Sequence, residues 1–302
     1  MSQLTVNGIR VDDTFAEAFG MRATALIITA RDAAWAYQAA VTMTGFATSV
    51  IGCGCEAGID RALEPNETPD GRSGVRVLLF AVSTSELQKQ LQNRVGQCVL
   101  TSPGSACYAG LQAEEKLKLG SALRFFGDGW QVSKRFGDKR YWRIPVMDGE
   151  FVCEATTGLS KTAVGGGNII VMGGNPDTTL AASKVAVEAI ATVPNVITPF
   201  PGGIARSGSK IGSKYKGVIA STNDAYCSTL KGSGNSALDS DIGSVLEIVI
   251  DGLTSDAVAS AMRAGVRAIL ALGPNRGALR ISAGNYGGKL GPHHYYLREL
   301  LP

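Results

Sequence analysis

The chain has 302 residues, enough for two domains of ordinary size or one large one. Hydrophobic residues make up 45% and charged residues 18%, so a sizeable core forms and bulk disorder is excluded. The formal charge of +3 is evenly spread and includes no run of five basic residues, which argues against nucleic-acid binding.

The N-terminal stretch MSQLTVNGIRVDD has no basic start leading into an apolar segment, so no signal peptide is expected. No window approaches ~18 uncharged apolar residues, so no membrane span is expected, and the chain is expected in the cytoplasm. The first strand expected is Ala25–Ala30, followed by a helix over Ala33–Thr44 and a strand over Ala47–Gly52. Val75–Ala81 reads as a strand and Thr84–Val95 as a helix that Ser83 or Thr84 caps. Cys98–Thr101 reads as a strand. The second half repeats this order: strand Asn168–Met172, helix Thr178–Ile190, strand Val196–Thr198, strand Val245–Ile250, helix Ser255–Leu272, strand Leu279–Ser282.

Each half therefore holds two strand–helix–strand units. The pattern predicts an α+β fold of two lobes, each a ferredoxin-like α/β sandwich with a mostly antiparallel sheet and helices on one face. AVSTSELQKQLQNRV and VIDGLTSDAVASAMRAGV occupy matching places, as after a duplication. The boundary is drawn near residue 150, after KRFGDKRYWRIPVMDGE, giving an N-terminal lobe 1–150 and a C-terminal lobe 151–302. A single doubly wound parallel sheet is the alternative, because sequence does not order the strands.

Several chemistries are ruled out by what is missing. Six cysteines include no C-x-x-C pair, and Cys53-Gly54-Cys55 is a weak metal signal, so no metal site is expected. The two histidines, His293 and His294, are too few for most zinc hydrolases or a Ser-His-Asp enzyme. GGIARSGSK (202–210) misses the phosphate-loop pattern, because Ser209 rather than Lys follows Gly208. No G-x-G-x-x-G opens a helix after a strand, and no G-x-S-x-G elbow is present.

Three segments combine polar residues and glycine without a packing reason: FFGDGW (125–130), PFPGGIARSGSKIGSKYKGVIASTNDAYC (199–227) and SAGNYGGKLG (282–291). One residue stands apart. Glu247 lies in SVLEIVIDGL among Val245, Leu246, Ile248 and Val249. A carboxyl in so apolar a strand is desolvated, its pKa rises, and it serves as a hydrogen-bond donor or general acid near neutral pH. The competing reading is a Glu that points at water or pairs with an Arg.

At these residues the chain resembles a known family. DDTFAEAF (12–19), TGFATSVIGC (44–53), EAGID (56–60), ETPDGR (67–72), GQCV (96–99), FFGDG (125–129), PFPGGI (199–204), ASTNDAYC (220–227), EIVIDGL (247–253) and ISAGNYGGKLG (281–291) are similar to formylmethanofuran:tetrahydromethanopterin formyltransferase, nearly end to end. The resemblance implies an acyl transfer without metal or prosthetic group. The formyl group passes between the amine of a methanofuran-type carrier and a ring nitrogen of tetrahydromethanopterin. It also implies two ferredoxin-like lobes, a homo-oligomer, no tightly bound cofactor, and Glu247 as the catalytic carboxylate.

The slightly basic charge and the Gly/Ser-rich stretch LKGSGNSALDSDIG (230–243) depart from archaeal members and fit the bacterial branch. There the resemblance is to the formyltransferase component of a formyltransferase/hydrolase complex, which implies further partner subunits. Ser209, Thr222, Asn223 and Asp224 are candidate substrate-binding partners of Glu247. Lys210 and Lys214 are candidates for the carboxylates of the carrier tail. A cyclohydrolase or amide hydrolase needs a base or metal that these histidines do not supply. A carrier-binding scaffold subunit is the non-catalytic alternative.

Overall fold

A computed structural model describes residues 3–274 and 277–302; the first two residues of the N-terminal stretch lie outside them. The chain forms two compact units, Gly20–Ala163 and Met1–Phe19 with Val164–Pro302. This division by packing departs from the linear cut at residue 150 at both ends. Ile9–Asp12 runs parallel to Arg280–Ser282, which takes the N-terminus into the C-terminal unit. Gly149–Glu154 pairs with Lys139–Val146 and Ala106–Ala109, which keeps it in the other.

In Gly20–Ala163, the strand that ends at Thr29 leads into the helix Ala33–Thr44, whose N-terminal N–H groups are capped by Asp32. The strands Glu56–Leu63 and Gly74–Ala81, the helix Thr84–Arg94 and the strand Ala106–Ala109 follow. Ser83 caps the second helix through the Glu86 N–H. The strand ending at Thr29 lies between Gly74–Ala81 and Ala106–Ala109, antiparallel to both. Glu56–Leu63 lies outside Gly74–Ala81, also antiparallel. Leu26, Ile28, Val75, Val77 and Leu79 meet Ala36, Ala40, Met43, Leu87 and Leu91 in one core. On the strand Gly74–Ala81, Arg76 is ion-paired with the buried Asp60 and donates to the Gly110 carbonyl.

The C-terminal unit repeats this order. The strand ending at Gly173 is followed by the helix Pro176–Ile190, the strands Val196–Ile197 and Ser244–Gly252, the helix Ser255–Leu272 and the strand Arg280–Ser282. The first strand again lies between the third and the fourth, antiparallel to both, with the second outside the third. In Ser255–Leu272, Val258, Ala261, Met262, Gly265, Val266, Ile269 and Leu270 are buried, an i, i+3, i+4 stripe that packs on the sheet. Val258, Met262, Val266, Ile269 and Leu270 each contribute roughly 1.5–3 kcal/mol through burial of their side chains. Gly265 is required for the close approach, since a Cβ there meets Ile169 and Ile190 at 2.9 Å.

This second sheet has two differently covered faces. Ile169, Val171, Ile248, Ile250 and Ile281 face the helices. Ile170 and Met172 point the other way, against Ile242, Tyr226, Leu238 and Val245 of segment 204–243 and the strand beside it. Arg280 anchors that cover. It makes two bonds to Asp12 (2.8 and 2.9 Å), donates to the Ala237 carbonyl (2.9 Å), and reaches Asp239 at 3.3 Å. The Gly/Ser-rich stretch 230–243 is therefore pinned by specific bonds.

Two expected strands are absent. Ala47–Gly52 instead enters a short helix, Val50–Cys53: Ser49 accepts the Ile51 N–H, Glu56 accepts the Val50 N–H, and Gly54 closes the turn at φ 77°. Cys98–Thr101 instead lies in and beyond a π-helical turn, Val95–Val99, which prolongs the preceding helix through the bond from Leu100 N–H to the Val95 carbonyl. The pairing is mostly antiparallel, which rules out the doubly wound parallel alternative. Among the described residues no helix is long and apolar enough to cross a membrane.

Removing Asp12 from the buried Asp12–Arg280 pair leaves Arg280 with only the more distant, exposed Asp239 as a counter-charge. Asp12→Ala is expected to lower unfolding stability by ~3–5 kcal/mol, measured by denaturant titration. The exposed Arg61–Glu67 pair, broken by Glu67→Gln as a control, is expected to cost less than about 1 kcal/mol.

Candidate active site

Glu247 occupies the fourth position of the strand Ser244–Gly252 and stands opposite Ile170. Because side chains alternate along a strand, it falls on the face that carries Ile170 and Met172, away from the helices. Its backbone is fixed from the strand's other edge. Ala205 N–H donates to the Glu247 carbonyl (2.8 Å), and Glu247 N–H donates to the Ala205 carbonyl (2.9 Å). The chain then turns over the carboxyl at Gly208, where a Cβ would stand 3.3 Å from Glu247 Oε2.

The result is an open cleft lined by Glu247, Ile170, Arg206, Gly208, Thr222, Asn223, Tyr226 and Cys227 among others. Among the described residues nothing donates a hydrogen bond to the Glu247 carboxyl. Burial therefore acts unopposed, and it pushes this carboxyl above the usual carboxylate range. A protonated carboxyl here donates a hydrogen bond without adding negative charge to the cleft.

The other expected site residues fall into three groups. Thr222 and Asn223 line the cleft with Glu247. The Asn223 N–H donates to the Gly208 carbonyl (2.9 Å), and Thr222 Oγ1 lies 3.4 Å from Cys227 Sγ. Ser209, Lys210 and Asp224 lie beside the cleft rather than in its wall. Ser209 is exposed opposite Thr222 in the two-stranded piece Ser209–Ile211 and Ala220–Thr222. Lys210 is ion-paired with Asp224, and this bond, helped by Asn235, holds the Asp224 carboxyl below its usual range. Lys214 is exposed outside the cleft wall.

Several residues at or near the site are not singled out by the sequence. Arg206 adds a positive charge to the wall, and Tyr226 and Cys227 close it. Ser282 stands in the same row of the sheet as Glu247, across Ile170; it is buried, and its hydroxyl has no hydrogen-bond partner among the described residues. Glu17 lies in FAEAF, an alternating apolar run with one carboxylate, the same signal that marks Glu247. Burial alone would raise its pKa. Instead, four backbone N–H groups, those of Gly291, Tyr286, Leu290 and Gly288, bring it down to about 2. Tyr286 is raised, first by burial and then by the charges of Glu247 and Glu17. Among the described residues no three His, Cys, Asp or Glu side chains gather as metal donors.

Comparison with known proteins places these features in a family. Residues 4–146 match the model of formylmethanofuran-tetrahydromethanopterin formyltransferase, and residues 149–300 match the model of its proximal lobe. The chain is 60% identical to formylmethanofuran–tetrahydromethanopterin formyltransferase of Methylococcus capsulatus, over 99% of this chain and 100% of that one. It is 58% identical to one subunit of the formyltransferase/hydrolase complex of Methylorubrum extorquens, over 100% and 98%. Among solved structures, the Methylorubrum extorquens formyltransferase/hydrolase complex with methylofuran superposes with a TM-score of 0.98 at 57% identity, covering 100% of this chain and 99% of that one. The Methanosarcina barkeri formyltransferase gives 0.92 at 42%, covering 98% and 100%. The chain belongs to the formylmethanofuran–tetrahydromethanopterin formyltransferase family.

Proposed function

We propose that this chain transfers a formyl group between tetrahydromethanopterin and a methanofuran-type carrier, with Glu247 as the acid of the reaction. The observation that carries the activity is the match of both lobes, end to end, to formyltransferases. The solved relative that holds methylofuran supports a furan carrier as one substrate. Its being part of a formyltransferase/hydrolase complex supports further subunits as partners.

The chemistry follows from the site. An amine of one carrier attacks the formyl carbon of the other, and a tetrahedral intermediate with a negative oxygen forms. The old C–N bond breaks as the proton lost by the attacking amine is replaced on the departing one. Neither reactant is activated by itself, so alignment supplies much of the rate, roughly 7–11 kcal/mol when geometry is good. Hydrogen bonds to the developing charge add a few kcal/mol each. Glu247, protonated in its apolar surroundings, donates to that oxygen or protonates the departing amine. Thr222 and Asn223, which line the same cleft, orient the carriers. Ser209, Lys210, Lys214 and Asp224 act at the approach to the cleft, Lys210 only once a carboxylate of the carrier displaces Asp224.

The same reading extends to architecture and assembly. Each unit runs strand–helix–strand–strand–helix–strand with its first strand between the third and fourth, which supports a ferredoxin-like sandwich in each. We take the enzyme to be a cytoplasmic homo-oligomer with two-fold symmetry and no tightly bound cofactor.

Six outcomes are expected. With both carriers saturating, Glu247→Ala lowers kcat by ~10²–10³-fold. Glu247→Gln retains much of the rate if the carboxyl only donates, and falls by ~10²–10⁴-fold if it transfers a proton. The parent loses activity as pH rises through the raised Glu247 pKa, and this limb is missing from the Gln variant's profile. Near-parental turnover by Glu247→Ala refutes the assignment. Gly208→Ala, which crowds Glu247 Oε2, is expected to lower kcat with little change in thermal midpoint. Sedimentation of the isolated chain is expected to give an oligomer, and elemental analysis no stoichiometric metal.

A further inference from the structure

Loop 284–291 is tied down unusually well for a glycine-rich segment. Its approach is set by the sheet: Ile170 pairs with Glu247 on one side and with Ser282 on the other, so the loop begins two residues beyond the row that carries Glu247. Asn168, two residues from Ile170 and thus on the same face, accepts the Gly284 N–H (2.6 Å) and donates to its carbonyl (3.2 Å). Asn285 then donates to Thr14 Oγ1 (3.0 Å) and to the Phe15 carbonyl (3.2 Å).

The remainder wraps around one buried carboxylate. Glu17 Oε2 accepts from the N–H groups of Tyr286 (2.6 Å) and Gly288 (2.8 Å), and Oε1 accepts from those of Leu290 and Gly291 (2.7 Å each). Glu17 is 1% exposed, so nothing in solvent can replace it. Gly287 and Gly288, at φ 79° and 72°, allow the turn that brings these N–H groups together. The Tyr286 ring rests 6.1 Å from that of Phe19, two residues along the same strand as Glu17.

We propose that Glu17 is a positioning residue for the formyl transfer: it holds loop 284–291 beside the sheet face that carries Glu247, and the loop so held presents the Tyr286 hydroxyl to the carriers as a second hydrogen-bond donor. The inference rests on the active site described above. Four N–H groups converging on one ionised carboxylate cannot be matched by an amide, whose NH₂ opposes two of them. Rigidity of this kind lets a donor act without reorganising when charge develops. Tyr286 stays protonated at neutral pH, since burial first and the negative charge of Glu17 second oppose its ionisation.

The test combines backbone hydrogen exchange with steady-state kinetics on Glu17→Gln, Tyr286→Phe and the double variant. In Glu17→Gln the amides of residues 286, 288, 290 and 291 are expected to exchange faster. Each single variant is expected to lose ~10–10³-fold in kcat, with both KM values changed less than about threefold. The double variant is expected to be no worse than the weaker single one by more than a few-fold, because Glu17 acts through Tyr286. Glu17→Asp, which keeps the charge, recovers part of the rate, and it replaces Gln in the cycle if Gln does not fold. A deprotected loop with parental kcat, or losses that multiply in the double variant, overturns the proposal. An active parent that Glu247→Ala inactivates upholds the wider reading, so the two failures are distinguishable.

Discussion

The strand Ser244–Gly252 has to serve two surroundings at once. On one face Ile248 and Ile250 pack against two helices. On the other, two residues beyond Val245, Glu247 sits half-buried beneath loops that give its carboxyl no hydrogen bond among the described residues. Removing a carboxyl from water without a partner favours its neutral form. Everything else near the cleft acts to keep that condition. Ala205 locks the strand edge, Gly208 lets the chain pass close over the carboxyl, and Asp12–Arg280 secures segment 230–243 against the same sheet face. An Arg within reach of Glu247 would cancel the effect. The nearest cation of the wall, Arg206, makes no ion pair with it among the described residues.

Much of this was legible in the chain. The helices Ala33–Thr44 and Ser255–Leu272 have the residues that local rules require, with Asp32 and Thr254 as N-caps and Gly273 after the last turn of the second. Two short apolar runs were not legible, because local polar bonds override apolar character over four to six residues. Ser49 and Glu56 capture the N–H groups of one, and the other continues an existing helix by a single wide turn. Glu247 declared itself through its apolar neighbours. Glu17 carries the same signature, but its partners lie some 270 positions further along the chain, at Tyr286 to Gly291, where no spacing rule reaches. Lys214 shows the converse: basic residues in a glycine-rich loop draw attention, yet Lys214 is exposed and is not among the residues that line the cleft.

The two units differ most where they are most alike. Ile27 precedes the cap Asp32 by five residues, as Ile170 precedes Asn175, and each pairs with the third strand of its unit. The partner of Ile170 is Glu247, seven residues before the cap Thr254; the partner of Ile27 is Arg76, seven before the cap Ser83. Equivalent positions thus hold opposite charges. Arg76 is closed off by Asp60 and the Gly110 carbonyl, whereas Glu247 is left open to a cleft. One copy has spent its charged position on internal cohesion, and the other keeps it for an outside molecule. If the two units descend from a single ancestor, that division of labour needed no change of architecture. The two sockets differ only in the sign of the charge they hold and in whether that charge has a companion.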